Sequence, residues 1–194
     1  FTAISKTVGD AAFALTAPTS NSTGAVTYFS SNTSVATISG ATVTIVGAGT
    51  ATITATQAAD ANYLGGTITT TITVAKVNPT ISGFTSISKT VGDAAFALTA
   101  PATNSTGAFT YVSSNSAVVS ISGNTVTVVG AGTATITATQ ASDANYNGGS
   151  IVSTITVIAA PVTTTTVLSN PTISGFASIS KTVGDAAFTL TAPT

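Results

Sequence analysis

The chain has 194 residues, a formal net charge of -1 carried by four Lys and five Asp, and no Arg, Glu, His, Cys, Met or Trp. That inventory lacks an imidazole base, a thiolate nucleophile and the ordinary zinc ligands, and four lysines do not make a phosphate-binding stripe, so the expectation is neither an enzyme nor a nucleic-acid binder. Hydrophobic residues make up 43% against 5% charged, yet Ser or Thr interrupts nearly every second position and no run of about 18 apolar residues occurs, which excludes a spanning helix.

Taken in chain order, short segments of alternating apolar and polar character predict strands at 2–7, 12–16, 26–30, 35–38, 42–46, 50–57 and 67–74. "ATITAT" at Ala51 to Thr56 sets Ala and Ile against Thr, and "TITTTITV" at Thr67 to Val74 puts Ile68, Ile72 and Val74 on one face and four Thr on the other. Turn formers separate the strands: "VGD" at Val8, "NSTG" at Asn21, "SSN" at Ser30, "SG" at Ser39, "GAG" at Gly47 and "DANYLGG" at Asp60. Seven short strands in about 80 residues predict an immunoglobulin-like Greek-key sandwich. Its expected core is Ile4, Val8, Phe13, Leu15, Tyr28, Val35, Ile38, Val43, Ile45, Ile53, Ile68, Ile72 and Val74.

The whole pattern then repeats. Residues 1–74 superimpose on 84–157 without a gap at 58 of 74 positions, and a third copy opens at Pro171. The expected organisation is repeat 1 at 1–78, lacking its first few linker residues, repeat 2 at 79–158, an extended Thr-rich linker at 159–170, and the first strands of an incomplete repeat 3 at 171–194. Phe1 falls in mid-pattern, so a window on a longer chain is expected.

"VTYFSSNTSVATISGATVTIVGAGTATITAT", Val26 to Thr56, with the "QAADANYLGG" that follows, resembles the bacterial immunoglobulin-like domains of group 2. The resemblance extends over each whole repeat and implies an elongated all-β array in the stalk of a large bacterial surface protein or adhesin, extracellular or at the cell surface. The expected partners are neighbouring repeats of the same chain, with other copies of the chain as partners in the filament alternative. A self-associating filament with strand exchange between neighbours, and a carbohydrate-binding appendage of a secreted enzyme, are the alternatives.

Three features invite a functional reading. "ISKTVGDAAF" recurs unchanged at Ile4, Ile87 and Ile179 and holds six of the nine charges, but Gly and Asp at its centre are turn chemistry. Asp60 and its copy Asp143 stand alone within their repeats, so no catalytic acid pair forms; across the junction of two repeats Asp10 would approach Asp143 beside Asn78. No metal or other cofactor is assigned, because calcium accepts six to eight oxygens and two carboxylates supply few, but these three residues are the set that would hold it. Phe29 neighbours the inward Tyr28 on one strand and therefore points outward as a candidate lateral contact.

Overall fold

The computed structural model describes residues 1–164, 166–175, 178–190 and 192; Thr165 of the Thr-rich segment and Phe176, Ala177, Thr191, Pro193 and Thr194 of the third copy lie outside the described residues. These residues form two compact units, Phe1–Ala160 and Pro161–Thr194.

All regular structure in the first unit is strand. Repeat 1 contains β1 (Ile4–Thr7), β2 (Phe13–Ala14), β3 (Val26–Ser30), β4 (Ala36–Ser39), β5 (Thr42–Ile45), β6 (Gly49–Gln57) and β7 (Gly66–Ala75). Each predicted strand is present, with ends shifted by no more than a few residues. One sheet runs β1-β7-β6-β3 and the other β2-β5-β4. Because β1 pairs parallel to β7, Ile4 opposite Ile72, the first and last strands of the repeat close one sheet edge together. The chain crosses to the second sheet at the Val8–Asp10 turn, which is the immunoglobulin-like arrangement of two sheets around one core.

Repeat 2 follows the same plan with β9 (Ile87–Thr90), β10 (Phe96–Ala97), β12 (Phe109–Ser113), β13 (Val119–Ser122), β14 (Thr125–Val128), β15 (Gly132–Gln140) and β16 (Gly149–Ile158). It also has a two-stranded ribbon without a counterpart in repeat 1, β8 (Ile81–Ser82) antiparallel to β11 (Ala102–Thr103).

The period-two pattern dictates the core. Along β6, Ala51, Ile53 and Ala55 are buried while Thr50, Thr52 and Thr56 are exposed. Leu15, Val35, Val43, Ile53, Ile72 and Val74 form the buried cluster, with Ile4, Val8, Phe13, Tyr28, Ile38 and Ile45 packed against it. Twelve of the thirteen expected core residues are therefore in place. Ile68 is the exception: it shares the inward face of β7, yet 45% of its surface is exposed because it lies where the sandwich is open. Ala36 and Ala51 belong to the core as well, and the sequence pattern did not single them out because a methyl group carries little hydrophobic signal.

In the second unit none of the described residues is paired into a strand. The strands that would pair with the counterparts of β1 and β2, namely β7 and β5, come later in a complete repeat. What persists is the turn: Asp185 N–H donates to Thr182 O at 3.1 Å, with Gly184 at φ 107°.

Candidate functional site

The recurring decapeptide is a self-contained turn. Asp10 N–H donates to Thr7 O at 3.0 Å, and Thr7 N–H donates back to Asp10 Oδ2 at 2.9 Å. Gly9 supplies φ 92°, where an L side chain is strained. Its Lys is occupied too: Lys6 Nζ sits 4.6 Å from the centre of the Phe13 ring, and Lys89 repeats this over Phe96. Both charges of the motif thus act inside it, and the third copy keeps the same bond from Thr182 N–H to Asp185 Oδ2 at 2.9 Å.

Asp60 and Asp143 organise the opposite pole of their own repeats. Asp143 Oδ2 accepts from Ser105 Oγ at 2.9 Å, Thr106 N–H at 2.8 Å and Thr106 Oγ1 at 3.0 Å. Its Oδ1 accepts from the N–H groups of Asn145 and Tyr146 at 2.8 and 2.7 Å. Asp60 holds Ser22, Thr23, Asn62 and Tyr63 in the same way. A glycine makes the approach possible: a Cβ at Gly107 would lie 1.8 Å from Ala141 O, so only glycine lets the 105–107 loop close on the strand that leads to Asp143. The converging donors, Thr106 N–H foremost at Asp143 and Asn62 N–H at Asp60, hold both carboxyls well below the usual carboxylate range.

Beside each acid lies a glutamine. Gln140 is buried; its Nε2 donates to Ser105 O at 3.1 Å and Gly107 O at 2.9 Å, and its Oε1 accepts from Thr103 Oγ1 at 2.9 Å. Gln57 makes the equivalent bonds to Ser22 O and Gly24 O.

The junction between repeats 1 and 2 is where the "DANY" loop does its second job. Val77 N–H donates to Asn145 O at 3.2 Å and Val77 O accepts from Asn147 N–H at 2.8 Å, a parallel bridge that joins the linker to the loop of the next repeat. Asn145 Oδ1 accepts from Ala48 N–H at 3.0 Å, so one side chain ties the β5–β6 turn of repeat 1 to repeat 2. Lys76 Nζ donates to Asp143 O at 2.5 Å, and Asn147 Nδ2 donates to Asn78 Oδ1 at 2.9 Å.

Of the three residues considered for calcium, Asn78 and Asp143 therefore lie at this junction, while the carboxylate of Asp10 accepts from Thr7 in its own turn. No group of three acidic or other metal-ligating side chains occurs among the described residues. The sequence reading weighed Asp143 and passed over Asn145, Lys76 and Val77. The signal for Asn145 was present in the repeated "DANY", where the acid drew the attention and the amide did the bridging. Phe29 points outward from β3 opposite Thr54 and is 67% exposed; Val112 at the same place in repeat 2 is 65% exposed.

Residues 4–63 match the family model of the bacterial Ig-like domain (group 2). Solved structures similar to this chain include human protocadherin-24 EC1-2, at 14% identity over 82% of this chain and 95% of that one, TM-score 0.31. Domains 4-9 of the surface layer protein SbsC share 20% identity over 70% of this chain and 22% of theirs, TM-score 0.33. A SusE-like surface located polysaccharide binding protein from Bacteroides thetaiotaomicron shares 11% identity over 80% of this chain and 33% of its own, TM-score 0.29. Among curated proteins no sequence matches the chain significantly.

Proposed function

We propose that this chain is a spacer segment of a secreted bacterial surface protein of adhesin type, in which repeats hold a fixed angle to one another and add length. The junction is the observation that carries this reading. Only five residues separate β7 from β8, and three of them, Lys76, Val77 and Asn78, bond to the loop of the next repeat. A freely jointed linker leaves such groups to water. Near-identical neighbours repeat the same sandwich without adding new chemistry, and the polar clusters described above cap loops. The bacterial immunoglobulin-like match over residues 4–63 supports the extracellular setting. No catalytic role, nucleic-acid partner or membrane insertion is assigned to this segment.

The test uses the absence of native cysteine. Spin labels on Ala41→Cys and Asn124→Cys, both at exposed positions in different repeats, should give one narrow distance distribution by pulsed electron spin resonance. Asn145→Ala should broaden it. A distribution already broad in the parent chain would sink the spacer reading.

A further inference from the structure

Ten asparagines occur in the chain, and only one is followed by glycine, in the pair Asn147 and Gly148. The other nine precede Ser, Thr, Tyr or Pro, and the matching pair in repeat 1 is Leu64 and Gly65. Asparagine is among the chemically labile residues, and the residue after it sets how easily its side-chain carbonyl carbon is reached. The main-chain nitrogen of that next residue has to close on Cγ to make a five-membered ring. Glycine has no Cβ to obstruct the approach.

The fold leaves this pair open to the reaction and closes its neighbours. Asn147 and Gly148 are both exposed, and among the described residues no backbone acceptor takes the N–H of Gly148. Asn145, in the same loop, is half-buried and its Oδ1 accepts from Ala48 N–H. The nitrogen that would have to attack Asn145 belongs to Tyr146, whose N–H donates to Asp143 Oδ1 at 2.7 Å. Asn62 in repeat 1 is guarded in the same way, since Tyr63 N–H donates to Asp60 Oδ1 at 2.9 Å.

Asn147 is also a junction residue. Its N–H donates to Val77 O at 2.8 Å and its Nδ2 donates to Asn78 Oδ1 at 2.9 Å. Two residues on, Gly149 is fixed by its pairing with Gln140 at the start of β16, and a Cβ there would stand 2.9 Å from Ile81 Cδ1. The stretch from Asn147 to Gly149 is therefore held at both ends.

We propose that Asn147 is a self-modification site, converting to aspartate and isoaspartate and thereby loosening the junction between repeats 1 and 2. The nitrogen of Gly148 gives up its proton and attacks Cγ of Asn147; the bond from Cγ to Nδ2 breaks, and ammonia leaves with that proton. Solvent water then opens the succinimide. Addition at Cγ gives aspartate, and addition at the main-chain carbonyl gives isoaspartate, whose backbone runs through Cβ and Cγ. The sum is one water consumed and one ammonia released, with no change of oxidation state. Both products lose the Nδ2 donor to Asn78 and gain a negative charge. Isoaspartate also puts an additional carbon into a stretch fixed at both ends, so the bridge to Val77 or the pairing of Gly149 has to yield. The conversion goes beyond the spacer reading and does not need it, because the chemistry at Asn147 proceeds whether or not the repeats hold a fixed angle.

The experiment incubates the full 194-residue chain at mildly alkaline pH and follows every asparagine by peptide mass spectrometry, with aspartyl and isoaspartyl forms separated by chromatography and ammonia assayed alongside. Asn147 should convert roughly tenfold or more faster than Asn145 and Asn62, and Gly148→Ala should remove most of that advantage. A Cβ at Gly148 would stand 3.1 Å from Gln140 O, so Asn147→Gln serves as a second variant at an exposed position: it keeps an amide but lengthens the side chain, and conversion should stop. Amide exchange at Val77, whose N–H donates to Asn145 O, reads the junction and should quicken in the isolated isoaspartyl form. Conversion of Asn147 no faster than that of Asn145 and Asn62 overturns the proposal, and so does an isoaspartyl chain whose Val77 amide exchanges as in the unconverted one. A broad distance distribution between labels on the two repeats of the unconverted chain would sink the spacer reading alone, since the conversion rates are read without it.

Discussion

Repeats 1 and 2 are close to a controlled comparison, two sandwiches of nearly one sequence that differ at 16 of 74 aligned positions, with the segment Pro79–Gly83 covering one end of repeat 2. Within the hydrophobic core the substitutions come as a cross-strand pair. Ala36 lies opposite Ile45 in repeat 1, and Val119 opposite Val128 in repeat 2. One partner grows by two carbons as the other shrinks by one, and both Ala36 and Val119 are fully buried. A packed core feels total volume more than identity, so this exchange leaves the fold unchanged. The covering segment acts on polar groups instead. It takes the same glutamine from the half-buried state of Gln57 to the buried state of Gln140 without altering its bonds.

The largest effect should come where the repeats agree. Ile53→Ala and Ile136→Ala each empty a fully buried site and should cost about 2–5 kcal/mol. That lowers the melting temperature of the affected repeat by roughly 4–8 °C per kcal/mol. Amide resonances of each repeat, followed through thermal unfolding, should show equal losses. A twofold inequality would mean that the two cores are not equivalent in packing.

Next come the glutamines, where the repeats should part. Gln140→Ala leaves the carbonyls of Ser105 and Gly107 without their donor in a site closed to water, a loss of about 1–3 kcal/mol. Gln57→Ala exposes the same carbonyls in an open groove, so water replaces the donor and the loss should be well under half as large. Ile81→Ser should shrink the difference by uncovering repeat 2. Denaturant midpoints of the four variants measure it, and equal losses for Gln57→Ala and Gln140→Ala would show that the cover does not govern the polar end.

The core pair offers a finer test. Val119→Ala alone should cost about 2 kcal/mol for the two lost carbons at a buried site. Adding Val128→Ile should recover a large part of that, a coupling expected between neighbours and absent between distant sites. Simple additivity in the double variant would remove the volume argument made for Ala36 and Ile45.

How much of this was legible beforehand follows from what kind of signal each feature leaves. Strand period and turn glycines are written locally, so seven strands per repeat and the turn at Gly9 were readable, and the turn bonds even persist in the third copy, where no described residue is paired into a strand. Ile68 was misplaced because alternation assigns a face and says nothing of whether the far end of that face is capped. Asn145 was missed because the donor to its side-chain oxygen, Ala48 N–H, lies 97 residues away, and an amide that bridges two domains looks in sequence like an ordinary turn residue.

Acid should affect both repeats in parallel. Asp60 and Asp143 are held below the ordinary aspartate value of about 3.9 by their hydrogen-bond donors. A depressed folded value stabilises the native state fully above that ordinary value and loses the contribution as pH falls below about 4. Melting midpoints should therefore be flat from neutral pH down to about 5 and decline below 4 in both repeats. Asp143→Asn should flatten that decline in repeat 2 and leave repeat 1 unchanged; an undiminished acid response in the variant would assign it elsewhere.

Calcium should have the smallest effect of all, no shift of either melting transition up to millimolar concentration. The junction bonds tie Asp143 to the neighbouring linker through its main-chain oxygen and Lys76, and its two carboxylate oxygens already accept from five donors. An ion at Asp143 would have to displace N–H and O–H groups that fix the 105–107 loop and the 143–146 turn, and the replacement would bring a single carboxylate to an ion that favours six to eight oxygens. Asp10, in turn, would have to release Thr7 N–H and open the turn that carries the chain between the two sheets. A calcium-dependent rise in the melting temperature of repeat 2 would mean that these bonds yield to the ion.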